Sequence, residues 1–385
     1  MALRMYPIRK VVNFATHETR RIIRREINYY RVKPTHALLF MTYRCTSRCK
    51  MCTIWQKGAQ ATIKDELSLN EWQNLLDILG DMGVSIIEFF GGDALLRKDT
   101  LLPLIKYAHD KGFFTELPTN CNLLNKDMAI ALVESGLDNV WISLDGIGKI
   151  HDKIRGRDGT FQRVDRAIKE LTNAGRENKT PKILINCVVS KLNLDSFDKI
   201  IPYARDMGIT AIDFEYVGEI PQESICKSAI DGLTPTPFFT SSGSSVLLDK
   251  RRAILLKRKL EKIRQDRIRN GLRVNTQKID ILSIEELVSG KFPNKKCYIC
   301  RDIVTVDPYG NVMGCLHFNN YHLGNIRNQN LTSIWRNKKH VYFMEHQRSG
   351  KIDICKYCSN GLLRNYTPIQ SLQSQYFEIT KKARF

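Results

Sequence analysis

The sequence contains no long hydrophobic run. No stretch approaches the roughly 18–20 consecutive apolar residues that a helix needs to cross a bilayer, and the start, M-A-L-R-M-Y-P-I-R-K, lacks the apolar segment of a signal peptide. We therefore expect a cytoplasmic protein. Acidic residues are also few relative to basic ones, since 40 Asp and Glu face 60 Lys and Arg and give a formal net charge of +20.

The remaining composition is that of a folded, cysteine-rich chain. With 43% hydrophobic and 26% charged residues, the chain can bury a core and is not intrinsically disordered. Its 385 residues suggest two or three domains. Eleven cysteines in the reducing cytoplasm indicate metal ligands or redox groups rather than structural disulfides.

Most of the positive charge lies in two segments. Residues 1–35 carry nine Lys and Arg against two Glu, and residues 248–273 carry eleven against three acidic residues. Most charge runs of this kind are solvated surfaces. The alternatives are an anionic substrate or an anionic membrane surface at these segments. A nucleic-acid partner is not expected, because the sequence contains no recognised RNA-binding motif.

Helical and strand-like stretches alternate along the first half of the chain. The amphipathic stretches end in glycines that we expect in the left-handed position after a helix: Gly83, Gly112, Gly136, Gly175 and Gly208. Strand-like runs lie at Ala37–Met41, Val84–Phe90, Phe113–Leu117, Val140–Leu144, Ile183–Val189 and Ile212–Val217. Such alternation predicts an α/β fold with parallel strands, either a doubly wound sheet or a barrel. In both, the active site forms at the carboxyl ends of the strands.

The pattern changes after Gly218. Prolines and the run S-S-G-S-S at 241–245 predict a linker, and a basic helix follows over residues 246–270. Further on, I-V-T-V-D-P-Y-G-N-V-M-G-C at 303–315 predicts a β-hairpin that turns at Asp307–Gly310. A second, smaller domain is therefore expected.

Three cysteines follow the first predicted strand in the run C-T-S-R-C-K-M-C, at Cys45, Cys49 and Cys52. Three thiolates within one loop can hold a four-iron cluster and leave one iron open to a substrate or cofactor. The alternative is a zinc site completed by a distant residue, although tetrahedral zinc usually shows paired C-x-x-C motifs.

The sequence resembles the radical S-adenosylmethionine (SAM) superfamily, which carries C-x-x-x-C-x-φ-C after the first strand of a partial (β/α)6 TIM-like barrel. The resemblance covers residues 36–218 and includes F-F-G-G-D at 89–93, T-N-C-N at 119–122, and S-L-D-G followed by H-D-K-I-R-G within 143–156. It implies that the open iron binds SAM, that reduction cleaves SAM to methionine and a 5′-deoxyadenosyl radical, and that this radical removes hydrogen from a substrate.

The resemblance also implies SAM-binding residues. Gly91, Gly92 and Asp93 correspond to the family's G-G-E motif, with Asp in place of the usual Glu and the following alanine in place of the usual Pro. Glycines let the backbone approach a ligand closely, and carbonyl or carboxylate oxygens accept hydrogen bonds from an ammonium group. Ser143 and Arg155 resemble the groups that hold the carboxylate and ribose of SAM.

Five further cysteines lie near the carboxyl end of the sequence, at Cys297, Cys300, Cys315, Cys355 and Cys358. Their pattern resembles the SPASM auxiliary-cluster domain found in many radical SAM enzymes, in the shortened single-cluster form called the twitch domain. We favour Cys297, Cys315, Cys355 and Cys358 as ligands of one 4Fe–4S cluster, with Cys300 as a substitute. A zinc ribbon is the alternative.

Other candidate residues lie outside the two cysteine groups. Asp213 and Glu215 share one face of the sixth predicted strand, where carboxylates are candidates for contacting substrate; surface exposure or an ion pair is the alternative. Cys121 and Cys226 are either incidental thiols or donors of a hydrogen atom to a substrate radical.

These observations predict five segments: a basic N-terminal segment at 1–35, a radical SAM core at 36–218, a linker and basic helix at 219–290, an α+β auxiliary-cluster domain at 291–366 and a tail at 367–385. The predicted activity is anaerobic oxidation or isomerisation of a small polar substrate such as a sugar, aminocyclitol or nucleotide conjugate. It would use SAM, two 4Fe–4S clusters and an electron donor such as flavodoxin or ferredoxin. The alternative is modification of a ribosomally made peptide or protein residue.

Overall fold

The structure, a computed structural model, describes residues 30, 33–175, 181–238, 245–266, 272–292 and 297–360. The tail at 367–385 and nearly all of the basic segment at 1–35 lie outside the described residues. The described strands are β1 His36–Phe40, β2 Ile86–Phe90, β3 Phe114–Thr119, β4 Asn139–Ser143, β5 Lys182–Val189, β6 Ala211–Tyr216, β7 Arg273–Asn275, β8 Ile303–Val306, β9 Asn311–Met313 and β10 His322–Asn325. The described α-helices are α1 Ile54–Gly58, α2 Leu69–Asp81, α3 Lys98–Asp110, α4 Lys126–Glu134, α5 Lys149–Arg155, α6 Thr160–Ala174, α7 Ile200–Asp206, α8 Gln222–Cys226, α9 Lys250–Asp266, α10 Gln277–Asp280, α11 Ile284–Ser289, α12 Ile299–Asp302, α13 Leu331–Ile334 and α14 Lys338–Arg348.

The described strands form one sheet in the order β10-β9-β8-β1-β2-β3-β4-β5-β6-β7. Strands β1 to β7 pair in parallel, and helices cross over between successive strands of the barrel. The six strands predicted from the sequence agree with β1 to β6 to within two residues at each end. The predicted fold class, a partial barrel of parallel strands followed by a small C-terminal unit, is confirmed.

Side chains alternate between the two faces of the barrel strands. In β4, Val140 and Ile142 are fully buried in the layer under the helices, whereas Trp141 and Ser143 are half-buried and face the barrel interior. The same alternation in β6 turns Asp213 and Glu215 toward the interior. The interior surface is therefore the half-exposed face on which polar side chains of the sequence accumulate.

Local signals in the sequence determine how several helices begin and end. A capping box starts α2: Glu71 N–H donates to the Ser68 hydroxyl and Ser68 N–H donates to the Glu71 carboxylate. Four of the five predicted helix-ending glycines have φ between 69° and 89°. The fifth, Gly175, has φ −87°, so the expectation of a left-handed residue there is wrong. α6 ends at a glycine whose φ is negative.

The segment after Gly218 does more than link two domains. It contains the long helix α9, which buries Leu256 and Leu260, and then β7, whose Val274 pairs with Ile212 of β6 in a further parallel crossover. On the other side of the sheet, β8 pairs in parallel with β1, and the predicted hairpin is present between β8 and β9. None of the described helices is long and apolar enough to span a membrane.

Candidate functional site

The loop after β1 brings three thiols together at the mouth of the barrel. Burial, together with the neighbouring Cys49 thiol, raises the pKa of Cys45 and of Cys52 to about 12. Thiols that disfavour the charged form so strongly become thiolates only with a positive partner, which iron supplies. The three residues thus fit the iron–sulfur cluster that the sequence predicts.

The end of β2 presses directly on this cysteine loop. Gly92 N–H donates to the Thr42 carbonyl at 2.9 Å, and Asp93 N–H donates to the Arg44 carbonyl at 2.8 Å. A Cβ at Gly91 would lie 2.4 Å from the Thr42 oxygen, and one at Gly92 would lie 2.2 Å from the Arg44 oxygen. The two glycines are therefore required for the loop to fit against β2, a role in addition to the ligand contact implied by the family motif.

The Asp93 side chain is positioned to meet a ligand. It accepts a hydrogen bond from the Thr46 hydroxyl through Oδ2, while its buried Oδ1 has no hydrogen-bond partner. Burial raises the pKa of Asp93, and the Thr46 hydrogen bond offsets part of the rise. An unpartnered carboxylate oxygen beside the cluster loop fits the ammonium group of SAM.

The carboxyl end of α5 supports the same loop from the other side. Arg48 N–H donates to the Arg155 carbonyl and Lys50 N–H donates to the Ile154 carbonyl, both at 3.0 Å. Gly156 ends the helix with φ 66°, and a Cβ there would lie 2.2 Å from the Arg48 oxygen. The glycine of the H-D-K-I-R-G run is thus fixed by its contact with the cysteine loop, which sequence analysis did not anticipate.

Arg155 links the cluster loop to the end of β4. Its NH2 lies 2.7 Å from Oδ2 of the fully buried Asp145, and its NH1 donates to the Cys49 sulfur at 3.8 Å. Its Nε is buried without a partner. The predicted contact of Arg155 with SAM would therefore use Nε, or else NH1 and NH2, which already bind Cys49 and Asp145.

The T-N-C-N run holds the loop through its two asparagines. Asn120 Nδ2 lies 3.9 Å from the Cys45 sulfur, and Asn122 Nδ2 donates to the hydroxyls of Thr46 and Ser47 at 3.1 and 2.9 Å. Cys121, between them, is 1% exposed and packs in the main core. Cys226 is exposed on α8.

The inner wall of the barrel is acidic. Ser143, Asn186 and Asp213 are register neighbours on β4, β5 and β6, and the buried Oδ1 atoms of Asn186 and Asp213 lack partners. Lys278, on α10, contacts Glu215 and lies 3.8 Å from Asp213. Sequence analysis missed Lys278 because it follows β7, in the segment expected to be a linker.

The opposite wall is apolar and aromatic. Phe40, Tyr43, Phe90 and Phe238 pack around it, with the ring of Phe40 within 6 Å of the other three. The Lys57 ammonium lies 4.2 Å from the centre of the Tyr43 ring. The mouth therefore has one apolar and one polar side.

The second cysteine group surrounds a cavity in the C-terminal unit. Cys297, Cys300, Cys315 and Cys355 line it, and Cys358 is close enough to Cys315 to raise the pKa of that thiol. All five predicted ligands thus converge. In the described part of the chain, no three His, Cys, Asp or Glu side chains lie close enough together to bind one metal ion. A four-iron cluster does not need such close spacing, because each thiolate binds a different iron.

Family models match both regions. The radical SAM superfamily model matches residues 39–204, and the iron–sulfur cluster-binding domain SPASM matches residues 297–359. Among curated proteins, Fe-coproporphyrin III synthase of Methanosarcina barkeri is 33% identical over 48% of this chain and 47% of its own length. PqqA peptide cyclase of Bradyrhizobium diazoefficiens is 31% identical over 45% of this chain and 44% of its own length. The chain thus spans about half the length of these two relatives.

A longer alignment joins the chain to AdoMet-dependent heme synthase of M. barkeri, 25% identical over 86% of this chain and 93% of that protein.

Solved structures share the fold. Streptococcus suis SuiB bound to S-adenosylmethionine has a TM-score of 0.61 at 16% identity and covers 92% of this chain and 80% of its own. The protein anSMEcpe, with AdoMet and the Cp18Cys peptide bound, has a TM-score of 0.61 at 17% identity and covers 91% of this chain and 100% of its own. The chain therefore belongs to the radical SAM superfamily, with a C-terminal SPASM iron–sulfur cluster-binding domain, and its cofactors are SAM, a 4Fe–4S cluster and further iron–sulfur chemistry in the SPASM domain.

Proposed function

We propose that the protein modifies a residue of a ribosomally made peptide or protein. The similarity to a PqqA peptide cyclase carries this proposal. It favours the alternative considered in the sequence analysis over the small polar substrate, for which no relative named here gives support. The amphipathic mouth supports it too, because a peptide offers both apolar side chains and backbone N–H donors.

The cofactor contacts follow from the geometry of the loop. We assign Cys45, Cys49 and Cys52 to the first cluster, and the backbone of Gly91 and Gly92 to contacts with SAM. Three side chains, Asp93, Ser143 and Arg155, complete the SAM site. When bound, the cluster and SAM supply a 5′-deoxyadenosyl radical that removes a hydrogen atom from the substrate.

The chain's own residues position the substrate. Asp213, through its unpartnered Oδ1, and Asn186 beside it accept hydrogen bonds from N–H or ammonium groups that enter the barrel. Lys278 neutralises part of the negative charge at Glu215. The aromatic side of the mouth, around Phe40 and Phe238, excludes water from the other face of the substrate.

The second cysteine group would hold an auxiliary iron–sulfur cluster that could accept the electron left on the substrate after hydrogen removal. Four of Cys297, Cys300, Cys315, Cys355 and Cys358 would complete a closed cluster, which serves electron transfer rather than substrate binding. The substrate would then lose one hydrogen atom to the radical, one electron to this cluster and one proton to solvent, while flavodoxin or ferredoxin would reduce the first cluster.

The decisive experiment uses the anaerobically reconstituted protein with SAM, dithionite and, one at a time, each small peptide that a search of the neighbouring genes identifies. We expect 5′-deoxyadenosine and a peptide that has lost two hydrogen atoms, both measured by mass spectrometry. The matched control is Cys45→Ala/Cys49→Ala/Cys52→Ala, which should give neither. SAM cleavage with every encoded candidate peptide unchanged would reject the proposal.

A second candidate is modification of a haem precursor, favoured by the alignment with AdoMet-dependent heme synthase across 86% of this chain. The inner wall counts against it. Four carboxylates, from Glu88, Glu116, Asp213 and Glu215, face the interior, and they would repel a porphyrin that carries carboxylate side chains; Lys278 offsets the charge at two of them, Asp213 and Glu215. Conversion of an iron porphyrin in the same assay would establish this second function instead.

A further inference from the structure

An open groove lies outside the barrel, between α7 and α9. It has a volume of about 700 Å³ and is separate from both cysteine groups. Four basic side chains line it: Arg205 from α7, and Arg258, Lys259 and Lys262 from α9. The basic segment that stood out in the sequence therefore does not simply face solvent, because part of its charge converges on one concave surface.

Four basic side chains and one acidic side chain line the described part of the groove. Asp198 is the one acidic side chain among the lining residues, and it is bound to Lys259 at 2.9 Å. Arg258 and Lys262 are exposed and point along the same face of α9, one turn apart. An anionic partner would therefore find two side chains ready to bind.

The floor of the groove is apolar. Ile201 and Pro202 from α7 and Leu272 and Val274 around β7 line it, together with Leu255, which is 38% exposed. A basic rim over an apolar floor matches an acidic amphipathic segment. The lining residues include no aromatic ring on which a nucleic-acid base would stack, and a concave surface fits a chain segment better than a flat membrane.

We propose that this groove binds an acidic amphipathic segment of the polypeptide substrate, outside the residue that is modified. The inference rests on the proposed function. The position of the groove supports the polypeptide substrate as the origin of the bound segment. The groove runs along the outer side of β7, the edge strand, and Lys278 at the barrel mouth follows that strand by three residues. A chain leaving the groove reaches the mouth around this edge, at about 3.3 Å per extended residue. An electron donor would instead have to approach a cysteine group.

The test uses the full-length reconstituted protein and a labelled synthetic helix as long as α9, with Glu on one face and Leu on the other. We expect it to bind in fluorescence anisotropy, more weakly as salt increases, while the same helix with Lys in place of Glu does not bind. Arg258→Glu/Lys262→Glu should weaken binding about tenfold. The matched control is Lys98→Glu/Lys126→Glu, an equal charge change at exposed helix starts, which should bind like the wild type.

The substrate peptide gives the second readout, with dithionite as reductant so that protein electron donors play no part. The groove variant should raise KM for the peptide without lowering kcat, and SAM cleavage without peptide should be unchanged. Equal KM in the groove and control variants would overturn the groove assignment and leave the proposed function intact. Binding of phosphatidylserine vesicles without binding of the Glu helix would overturn it in favour of a membrane. Binding of the Glu helix with no peptide modified by any variant would reject the proposed function.

Discussion

At the scale of single residues, the cysteine loop is held by positions that have no side chain. Gly91, Gly92 and Gly156 each allow another backbone segment to lie closer than any Cβ would permit. The loop is thus clamped between the end of β2 and the end of α5 before any cofactor contact is considered. Glycine at these positions is therefore needed for the cluster loop to fit, in addition to any contact with bound SAM.

Gly156→Ala tests this clamp. The left-handed φ and the 2.2 Å approach to the Arg48 oxygen predict a loss of at least about 2 kcal/mol in the free energy of unfolding and a lower iron content. Gly112→Ala is the matched control, since Gly112 has φ 80° with nothing within 4 Å; it should cost about 1 kcal/mol and keep the iron. Urea unfolding and iron analysis measure both, and equal iron content in the two variants would contradict the clamp.

The buried ion pair between Arg155 and Asp145 gives a second residue-scale prediction. Arg155→Met leaves the buried Asp145 carboxyl, whose pKa burial already raises, without its cationic partner, so the free energy of unfolding should fall by about 3–5 kcal/mol. The double variant Arg155→Met/Asp145→Leu should lose less free energy of unfolding than the two single variants lose together, by at least about 1 kcal/mol, because the pair acts as a unit. Urea unfolding of all four proteins measures the cycle; strict additivity would show that the two side chains are not coupled.

Sequence patterns located the residues whose chemistry is local and missed those that meet through the fold. The spacing of Cys45, Cys49 and Cys52 lies within one loop, so the sequence alone predicts that they converge. Lys278 meets Glu215 only because β7 pairs with β6, and nothing in the spacing of these two residues indicates it.

At the scale of secondary-structure elements, α2 connects the barrel to the C-terminal unit. The Arg327 guanidinium binds both oxygens of Glu71, the capping residue at its first turn. Hydrogen bonds from Arg327, with those from Ser68, lower the pKa of Glu71 from its ordinary 4.5 to about 2. The carboxylate therefore serves as helix cap and as inter-element contact at once.

This contact predicts a pH dependence. Since the folded pKa lies below the unfolded value, the stabilisation is complete above pH 4.5 and is lost as the pH falls through 2. Arg327→Met should lower the free energy of unfolding by about 0.5–1 kcal/mol at pH 7, and by progressively less below pH 4.5. Urea unfolding of the cluster-free protein measures it. Glu71→Gln/Arg327→Met is the control, and a difference between variant and wild type that stays constant with pH would contradict the assignment.

Element boundaries were predictable wherever apolar runs were long enough to bury a strand. β7 has three residues, Arg273 to Asn275, of which Val274 alone is buried. A run this short shows no hydrophobic periodicity. It is a strand because it pairs with β6. The hairpin of β8 and β9 was predictable from its turn, but its attachment to β1 was not.

At the scale of the whole molecule, the C-terminal unit completes the sheet of the barrel. Because β8 covers the edge of β1, removing residues 291–385 exposes that edge beside the cysteine loop. We expect the truncated chain to be poorly soluble and unable to hold the first cluster, as judged by sedimentation and iron content. A soluble truncated protein with a full first cluster would show that the barrel is independent.

Changing the ligands alone should have a milder effect than truncation. Cys355→Ala/Cys358→Ala should reduce the iron content from about eight to about four per chain. SAM cleavage should persist while oxidised product disappears, because the strand pairing that supports the first site remains. Loss of SAM cleavage in this variant, with the fold intact by circular dichroism, would contradict separate roles for the two cysteine groups.

The pairing of β1 with β8 also sets an order on biosynthesis. His36 pairs with Ile303, so the ribosome must add 267 further residues before β8, the second neighbour of β1 after β2, exists. At about 5–20 residues per second, this edge of β1 waits roughly 13–53 s for β8. A chaperone that shields nascent hydrophobic strands, or slower expression at low temperature, should therefore increase the yield of soluble protein more than added iron does.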